Sequence, residues 1–240
     1  MTARDDAATV CAIAVLAMIA ATVAHEAVGH GGVCLLLGGK IVQLTSVYFS
    51  CNGGNGWVPA AGPLGNLAAA LLGWVGLLLL PAGAIRARLL CFLLWAFSLF
   101  WFAGYLVYDM AFGGGDYIFT ARALFGGANL RPSAGAVGVV LYLFIARRVA
   151  AKARTLAFAS LLRPAWIAAS VAAVAAALAY APSREYAAIQ AALEIGAASL
   201  SLLLVQPVPQ DAVIVRSPVW IGAAAILYAA FVLTLGRGIG

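Results

Sequence analysis

The sequence predicts an all-α polytopic membrane protein with about six or seven transmembrane helices and a small β-hairpin-like loop after the first span. Of the 240 residues, 65% are hydrophobic and only 9% are charged, whereas a soluble domain carries about 25% charged residues. Apolar segments near the length that spans a bilayer recur along the whole chain. This composition excludes a soluble protein, a disordered chain and a nucleic-acid-binding protein, and it makes membrane lipid the expected surroundings.

Seven apolar segments are the predicted spans. They are Ala7–Leu37, Ala60–Ala84, Leu89–Tyr108, Ala134–Ala146, Ala165–Ala181, Tyr186–Val205 and Val219–Leu235. The first is too long for one straight crossing, since about 31 helical residues extend about 46 Å. We expect it to tilt, break or project from the bilayer, with Gly31–Gly32 and Gly38–Gly39 as the places for a break or an end. The fourth is short, and we expect it to continue toward Ala151.

The distribution of basic residues predicts the orientation. With seven spans, nine of the 14 Lys and Arg residues fall on the N-terminal side of the membrane and five on the other. The positive-inside rule then places the N-terminus in the cytoplasm, and we expect an integral protein of a bacterial plasma membrane. The alternative is a signal peptide cleaved after Thr22-Val23-Ala24, but Arg4 is followed by two aspartates and the apolar run continues to Leu37.

The segment Lys40–Val58, between the first two spans, predicts a small hairpin at the membrane surface. Ile41–Phe49 is rich in β-branched and aromatic residues, and Asn52-Gly53-Gly54-Asn55-Gly56 is typical of a turn. The edge of such a hairpin could take up an unwound substrate strand by β-augmentation.

The cysteines and tryptophans have only structural roles in this interpretation. The four cysteines show no paired spacing, so we expect neither a cysteine-ligated metal nor a disulfide framework. They are Cys11, Cys34, Cys51 and Cys91. We expect Trp57, Trp101 and Trp220, which lie near the ends of predicted spans, to be interfacial anchors.

The most informative segment is His25-Glu26-Ala27-Val28-Gly29-His30, which carries both histidines of the chain and one of its three glutamates. Ionisable residues inside a membrane span are costly and mark function. Two imidazoles bind Zn²⁺, and an adjacent glutamate can take a proton from water on the metal. The cluster therefore predicts a zinc hydrolase, with His25 and His30 as ligands and Glu26 as the general base.

The spacing of the two histidines departs from the usual His-Glu-x-x-His. In a regular α-helix a residue at i+5 lies about 140° around the axis from i, against about 40° for i+4. We expect a π-bulge to absorb the extra residue, helped by Gly29. The competing interpretation is that His25 and His30 are separate polar residues, each satisfied between packed helices. The soluble dipeptidyl peptidase III family uses the same longer spacing.

From this segment onward the chain resembles the site-2 protease-like intramembrane metallopeptidases. The His-Glu segment is followed by small residues, Gly38-Gly39 and a short β segment, and Ala61-Gly62-Pro63-Leu64-Gly65-Asn66 matches the family's Ala-Gly-Pro-x-x-Asn motif at the next span. The resemblance covers roughly residues 10–130. It implies a metallopeptidase core at 1–133, with additional helices of unknown role at 134–240. It also implies a contact of Asn66 with the substrate backbone or an oxyanion, for which a helix–helix hydrogen bond is the alternative.

The resemblance further implies a carboxylate as the last zinc ligand, two spans after the histidines. Asp116 follows Gly113-Gly114-Gly115, and Asp109 ends the third span. Both approach the same membrane side as His25, because odd-numbered spans run parallel. We favour Asp116, because a glycine-rich break lets irregular backbone line a site. Asp109 stays the second candidate, and Asp116 could instead be a helix N-cap.

The predicted function is a membrane-embedded zinc endopeptidase that cleaves transmembrane or juxtamembrane peptide segments. An inactive, protease-derived membrane scaffold or a small transporter is the alternative, and the acidic Glu194 in a later span is the feature that favours transport. Tyr108-Asp109 and Gly113–Asp116 also match signatures of presenilin-like aspartyl proteases, but in that family the two lie on separate spans.

Overall fold

The computed structural model describes residues 5–126, 131–207 and 213–240, and it confirms an all-α polytopic protein with a small hairpin. The helices are α1 (Ala7–Leu36), α2 (Trp57–Leu79), α3 (Ile85–Phe112), α4 (Asp116–Phe125), α5 (Arg131–Thr155), α6 (Ala159–Ala177), α7 (Arg184–Ala191) and α8 (Pro218–Gly236), and the strands are β1 (Lys40–Leu44) and β2 (Phe49–Asn52). Within the described chain, all of these helices except α4 and α7 are long and apolar enough to cross a membrane, so the protein is an integral membrane protein in contact with lipid.

Helix α1 runs unbroken from one side of the molecule to the other. The Asp6 carboxylate accepts a hydrogen bond from the Thr9 amide at 2.9 Å and caps its first turn. Gly31 and Gly32 lie within the helix, and the chain turns at Gly38, whose φ is 76°. The helix therefore keeps its length of 30 residues, and the predicted break at Gly31–Gly32 is wrong.

The predicted hairpin is confirmed. Strands β1 and β2 pair antiparallel, with Ile41 opposite Cys51 and Leu44 opposite Phe49. The other edge of β1 is occupied by the end of the chain, because Leu44 and Ile239 exchange two backbone hydrogen bonds of 2.9 and 2.8 Å. The hairpin is thus fixed on the side of the molecule where α1 ends.

The expectation of no disulfide framework is wrong. Cys34, in the last turn of α1, is bonded to Cys51 of β2, 17 residues further along the chain. The spacing alone carries no signal for this pair, because the contact arises when the hairpin folds back against the end of the helix. Cys11 and Cys91 are free thiols.

The predicted span Tyr186–Val205 is wrong as a continuous helix. Helix α7 ends at Ala191, a π-helical turn covers Ala192–Ala197, and a 3-10 turn covers Leu200–Leu204. The indole of Trp166 donates a hydrogen bond of 3.0 Å to the Gly196 carbonyl, so protein rather than lipid satisfies this part of the interrupted backbone.

This interrupted segment still carries the chain across the molecule. At its start, the Tyr186 ring packs against Tyr48 beside the hairpin, at a centroid distance of 6.5 Å. Beyond its end, the Ile214 carbonyl accepts a hydrogen bond of 2.8 Å from the Asp6 amide at the start of α1. The described chain therefore crosses the bundle seven times, six times as a continuous helix and once as the interrupted segment 184–204.

Helix α1 lies at the centre of the bundle and packs against α2, α3, α6 and α8. Aromatic side chains of α3 fill much of the core beside it, and Phe92, Phe100 and Trp101 are fully buried there. The His-Glu segment of α1 consequently faces protein on most sides instead of lipid.

Candidate metal centre

The extra residue between the two histidines is absorbed by a π-helical stretch, Val23–Gly31, as the spacing predicts. In a π-helix the hydrogen bonds join residues five apart, so His25 and His30 lie on the same face one turn apart. Their ring centroids are 4.9 Å apart, and both side chains are buried. The two histidines therefore lie together, and the alternative in which each is satisfied separately between packed helices is wrong.

The third member of the cluster is Asp116, the first residue of α4. Its Oδ2 lies 3.1 Å from His25 Nε2 and 3.4 Å from His30 Nε2. Tetrahedral zinc with bonds of about 2.0–2.2 Å places its ligand atoms about 3.4 Å apart. Two of the three ligand separations are therefore close to this value, and all three ligand atoms lie within 4.8 Å of one another, so the three side chains could hold one metal ion.

The Asp116 carboxyl is suited to remain charged. Burial raises its pKa, but the nearby His30 charge and the hydrogen bonds from both imidazoles outweigh burial and bring the pKa to about 2. An ionised carboxylate is the form that binds a metal.

The second nitrogen of each imidazole is also held. His30 Nδ1 lies 2.7 Å from the Val58 carbonyl, which can only accept a hydrogen bond, so Nδ1 carries a proton and Nε2 is the nitrogen that faces Asp116. His25 Nδ1 lies 2.9 Å from the side-chain amide of Asn66. When His25 Nε2 binds a metal, Nδ1–H donates, and the amide then presents Oδ1. Asn66 thus orients the His25 ring, and its substrate contact stays a prediction.

Asp109 lies outside this cluster and holds α4 in place. Its carboxylate Oδ2 accepts a hydrogen bond of 3.1 Å from the Ile118 amide in the first turn of α4, and the side chain is fully buried. Gly115, with φ of 149°, passes so close that an added Cβ would lie 1.7 Å from Asp109 Oδ1. Asp109 therefore acts on the site by fixing the turn that carries Asp116.

Glu26 lies beside His25 and is only 3% exposed. Its Oε2 has no hydrogen-bond partner among the described residues. The side chain opens into a cavity of about 500 Å³, which is walled by the hairpin on one side and by α3 and α4 on the other. The polar and aromatic residues around it include Glu26, His30, Tyr48, Phe49, Tyr105, Tyr108, Asp116, Tyr186 and Gln190.

Helix α2 approaches the imidazoles too closely for any residue except glycine at position 62. A Cβ at Gly62 would lie 2.3 Å from His30 Nε2 and 2.6 Å from His25 Nε2. Two further glycines allow the same close approach, since a Cβ at Gly29 would meet Ala61 O at 2.4 Å and one at Gly65 would meet Ala24 O at 2.1 Å. Sequence reasoning did not assign these glycines to the site, although Gly62 and Gly65 stand in the motif ending at Asn66.

Aromatic rings cover the outer faces of both imidazoles. The Trp101 ring stacks on His25 with centroids 4.4 Å apart, and the Phe49 ring stacks on His30 at 5.3 Å. Trp101 is 1% exposed, so its predicted role as an interfacial anchor is wrong. Trp57, in contrast, is exposed at the start of α2. The packed rings restrict the motion of both histidines.

Comparison with protein-family models, with curated proteins and with solved structures finds no match to the chain.

Proposed function

We propose that the protein is a zinc-dependent endopeptidase embedded in the membrane, which cleaves transmembrane or juxtamembrane peptide segments. The observation that carries this proposal is the convergence of two imidazole nitrogens and one carboxylate oxygen beside a cavity that is lined by Glu26, His30 and Asp116. Three protein ligands of nitrogen and oxygen type are typical of catalytic zinc, whereas closed structural sites are rich in cysteine. The two cysteines nearest the cavity are joined to each other.

The donor set assigns a role to each of the three side chains. His25, His30 and Asp116 would hold the metal, with Asn66 and the Val58 carbonyl fixing the two rings. A zinc ion held there supplies a Lewis acid that brings the pKa of a coordinated water to about 7 and polarises the peptide carbonyl.

Glu26 moves the proton. Its carboxylate accepts a proton from the attacking water as the water oxygen bonds to the carbonyl carbon. The same carboxyl then returns that proton to the amide nitrogen as the carbon–nitrogen bond breaks, so that an amine and a carboxylic acid leave. Burial at 3% exposure keeps bulk water away from this transfer.

The hairpin supports a peptide substrate in extended form. One edge of β1 is occupied by Ile239, whereas Phe49, Ser50 and Cys51 of β2 line the cavity. A peptide that has lost its helical hydrogen bonds can regain backbone partners by adding to a strand edge. The β2 edge is the one that the described chain leaves beside the metal ligands.

Two features support an orientation with the N-terminus in the cytoplasm and the cavity opening to the outside. The basic residues divide nine to five in favour of the N-terminal side. The Cys34–Cys51 disulfide lies on the opposite side, and disulfides persist in oxidising compartments such as the periplasm. In intact bacteria, a membrane-impermeant maleimide should label the protein only after reduction, with Cys11 and Cys91 replaced by serine. Absence of labelling would contradict this orientation.

The test of the proposal is Glu26→Gln in the zinc-loaded protein, assayed against a library of quenched fluorescent transmembrane peptides. We expect one zinc ion per chain in both proteins, and cleavage that is lost by at least about a thousandfold in the variant, within the range seen when a catalytic group is removed. Glu185→Gln, an exposed glutamate on α7, is the matched control and should cleave as the wild type does. Equal cleavage by Glu26→Gln would refute the role of Glu26. Zinc binding without cleavage of any library member would favour the scaffold alternative.

A further inference from the structure

Glu194 is a buried carboxyl that the proposed mechanism does not use. It lies in the π-helical turn of the interrupted segment 184–204 and is 5% exposed. Its Oε2 has no hydrogen-bond partner, and no ion pair within the described ranges involves it. Because burying such a group inside a membrane protein is expensive, its presence calls for a functional explanation.

One aromatic side chain connects Glu194 to the candidate metal centre. The Tyr105 hydroxyl oxygen lies 3.1 Å from Glu194 Oε1. Tyr105 follows Trp101 by one turn of α3, and its ring centroid is 5.6 Å from that of His25. Tyr105 thus contacts Glu194 through its hydroxyl and lies beside the imidazole of His25 through its ring.

Tyr105 separates two cavities. On one side it lines the cavity of about 500 Å³ that also contains Glu26, His30 and Asp116. On the other side, together with Glu194, it lines an apolar cavity of about 330 Å³ between α3, α5 and the interrupted segment. Tyr105 therefore borders the space in which a bound peptide would lie, while its hydroxyl contacts Glu194.

We propose that Tyr105 is a catalytic residue whose hydroxyl donates a hydrogen bond to the carbonyl oxygen of the bound peptide, and that Glu194 is the positioning residue for this hydroxyl. This inference rests on the proposed peptidase function. When water adds to the carbonyl carbon, the electron pair of the carbon–oxygen double bond moves onto the oxygen, and a donor aimed at that oxygen stabilises the developing charge.

The proton on Glu194 makes this arrangement possible. Glu194 is buried and has no cation at ion-pair distance in the described surroundings, and a carboxyl placed in this way is held as the neutral acid. In the proposed arrangement, the neutral carboxyl is the donor in the 3.1 Å contact between Glu194 Oε1 and the Tyr105 oxygen. The phenolic hydrogen of Tyr105 is then free to bond the peptide carbonyl oxygen. Neither Tyr105 nor Glu194 forms a covalent bond to the peptide.

Tyr105→Phe removes only the hydroxyl and tests the catalytic role directly. Loss of one such donor costs about 10²–10³ in kcat, so we expect a decrease of that size, with KM changed by less than about threefold. Zinc content should be that of the wild type, and thermal stability should fall only by the modest amount that a buried carboxyl loses with its hydrogen-bond partner. Tyr228→Phe is the matched control, since that hydroxyl bonds the Ala172 carbonyl far from the site, at 2.9 Å, and its kcat should not change.

Substitutions of Glu194 separate positioning from general stabilisation of the fold. The amide of Glu194→Gln can still donate to the Tyr105 oxygen, so kcat should stay within about threefold of the wild type, whereas Glu194→Leu should lose at least about tenfold. In a Tyr105→Phe background, Glu194→Leu should cause no further loss of kcat, because the two residues act as one unit. A Glu194→Gln variant as impaired as Glu194→Leu, or fully additive losses, would overturn the positioning role.

A binding measurement separates this inference from the proposed function. Acetohydroxamic acid binds catalytic zinc and offers a carbonyl oxygen to nearby donors, so calorimetry on the zinc-loaded protein needs no turnover. We expect Tyr105→Phe and Glu194→Leu each to weaken its binding at least about fivefold, and Glu185→Gln not to change it. If the wild type binds the probe but does not cleave, the peptidase proposal fails and the affinities still decide the role of Tyr105. Unchanged affinity and unchanged kcat in Tyr105→Phe would overturn the inference, and a wild type that neither binds nor cleaves would overturn both.

Discussion

Two π-helical segments, Val23–Gly31 and Ala192–Ala197, each bury one glutamate near the middle of the molecule, but in different surroundings. The first lies within a continuous helix, and its glutamate stands between two histidines that meet an aspartate, an amide and a backbone carbonyl. The second lies where a crossing helix is interrupted, and its glutamate has one hydrogen-bond partner within the described part of the chain, Tyr105.

The difference shows what a π-turn provides by itself and what it does not. In both segments the extra residue per turn aims a polar side chain into the bundle. Among the described residues, the first is met by polar groups from two other helices, α2 and α4, and three side chains that could hold a metal converge there. The chemistry therefore depends on the neighbouring helices as much as on the distorted one.

Of the substitutions considered, replacing Asp116 should reduce zinc binding the most. Asp116→Ala removes the one carboxylate in the cluster, so zinc affinity should fall by more than the about 10–100-fold that loss of an outer-shell partner costs. Asp109→Asn is the comparison variant. It keeps an oxygen acceptor for the Ile118 amide and should keep one zinc ion per chain. Metal analysis of both proteins checks this, and equal zinc content would show that Asp116 is not a ligand.

Adding a methyl group at Gly62, where α2 approaches the imidazoles of α1, should have the next largest effect on zinc affinity. In Gly62→Ala the new methyl group would lie 2.3 Å from His30 Nε2, so the rings or the helix must shift, and we expect zinc affinity to fall about 100-fold. Gly222→Ala is the control, since a Cβ there meets nothing within 4 Å. Competition with a chelator measures both affinities. Wild-type affinity in Gly62→Ala would mean that the metal does not lie between these nitrogens.

The first of these two segments could be predicted from the sequence, because it concentrates residue types that are rare in this chain. Two histidines and a glutamate within six positions of an apolar run predicted the cluster, and the spacing predicted the π-turn. Asp116 was favoured because it follows a glycine-rich break. The second segment gave no comparable signal, since Glu194 stands alone among alanines and its partner lies 89 positions away.

Other features depend on packing that no local pattern records. The Cys34–Cys51 bond requires the hairpin to fold onto the end of α1, and the burial of Trp101 requires α3 to lie against His25. The segment 184–204 was predicted as a span, yet its helix is interrupted, and the Trp166 indole satisfies the Gly196 carbonyl where regular helix is lost.

A smaller effect should come from Asn66. Asn66→Ala removes the partner of His25 Nδ1, and loss of such a partner weakens metal binding about 10–100-fold. Asn66→Asp retains an oxygen acceptor and should restore most of the affinity. If the alanine variant binds zinc as the wild type does, the amide does not orient His25. Retained affinity with impaired cleavage would instead support the predicted substrate contact.

The smallest effect on the metal should come from the disulfide. Cys34→Ser with Cys51→Ser opens a loop of 17 residues and should lower the free energy of unfolding by about 3 kcal/mol. Zinc affinity should change by less than about threefold, since neither cysteine touches the cluster. Denaturant unfolding against a Cys11→Ser control measures the stability. A loss of zinc comparable to that in Gly62→Ala would show that the hairpin, and not α1 with α2, holds the imidazoles.

X-ray absorption at the zinc edge of the purified protein tests the central claim most directly. We expect one zinc ion per chain with two imidazole ligands, all bonded atoms at about 2.0–2.2 Å and no sulfur neighbour, and the loss of one imidazole contribution in His30→Ala. A sulfur shell at about 2.3 Å, a single imidazole in the wild type, or a spectrum unchanged in His30→Ala would contradict a metal ion held by both histidines of the π-turn.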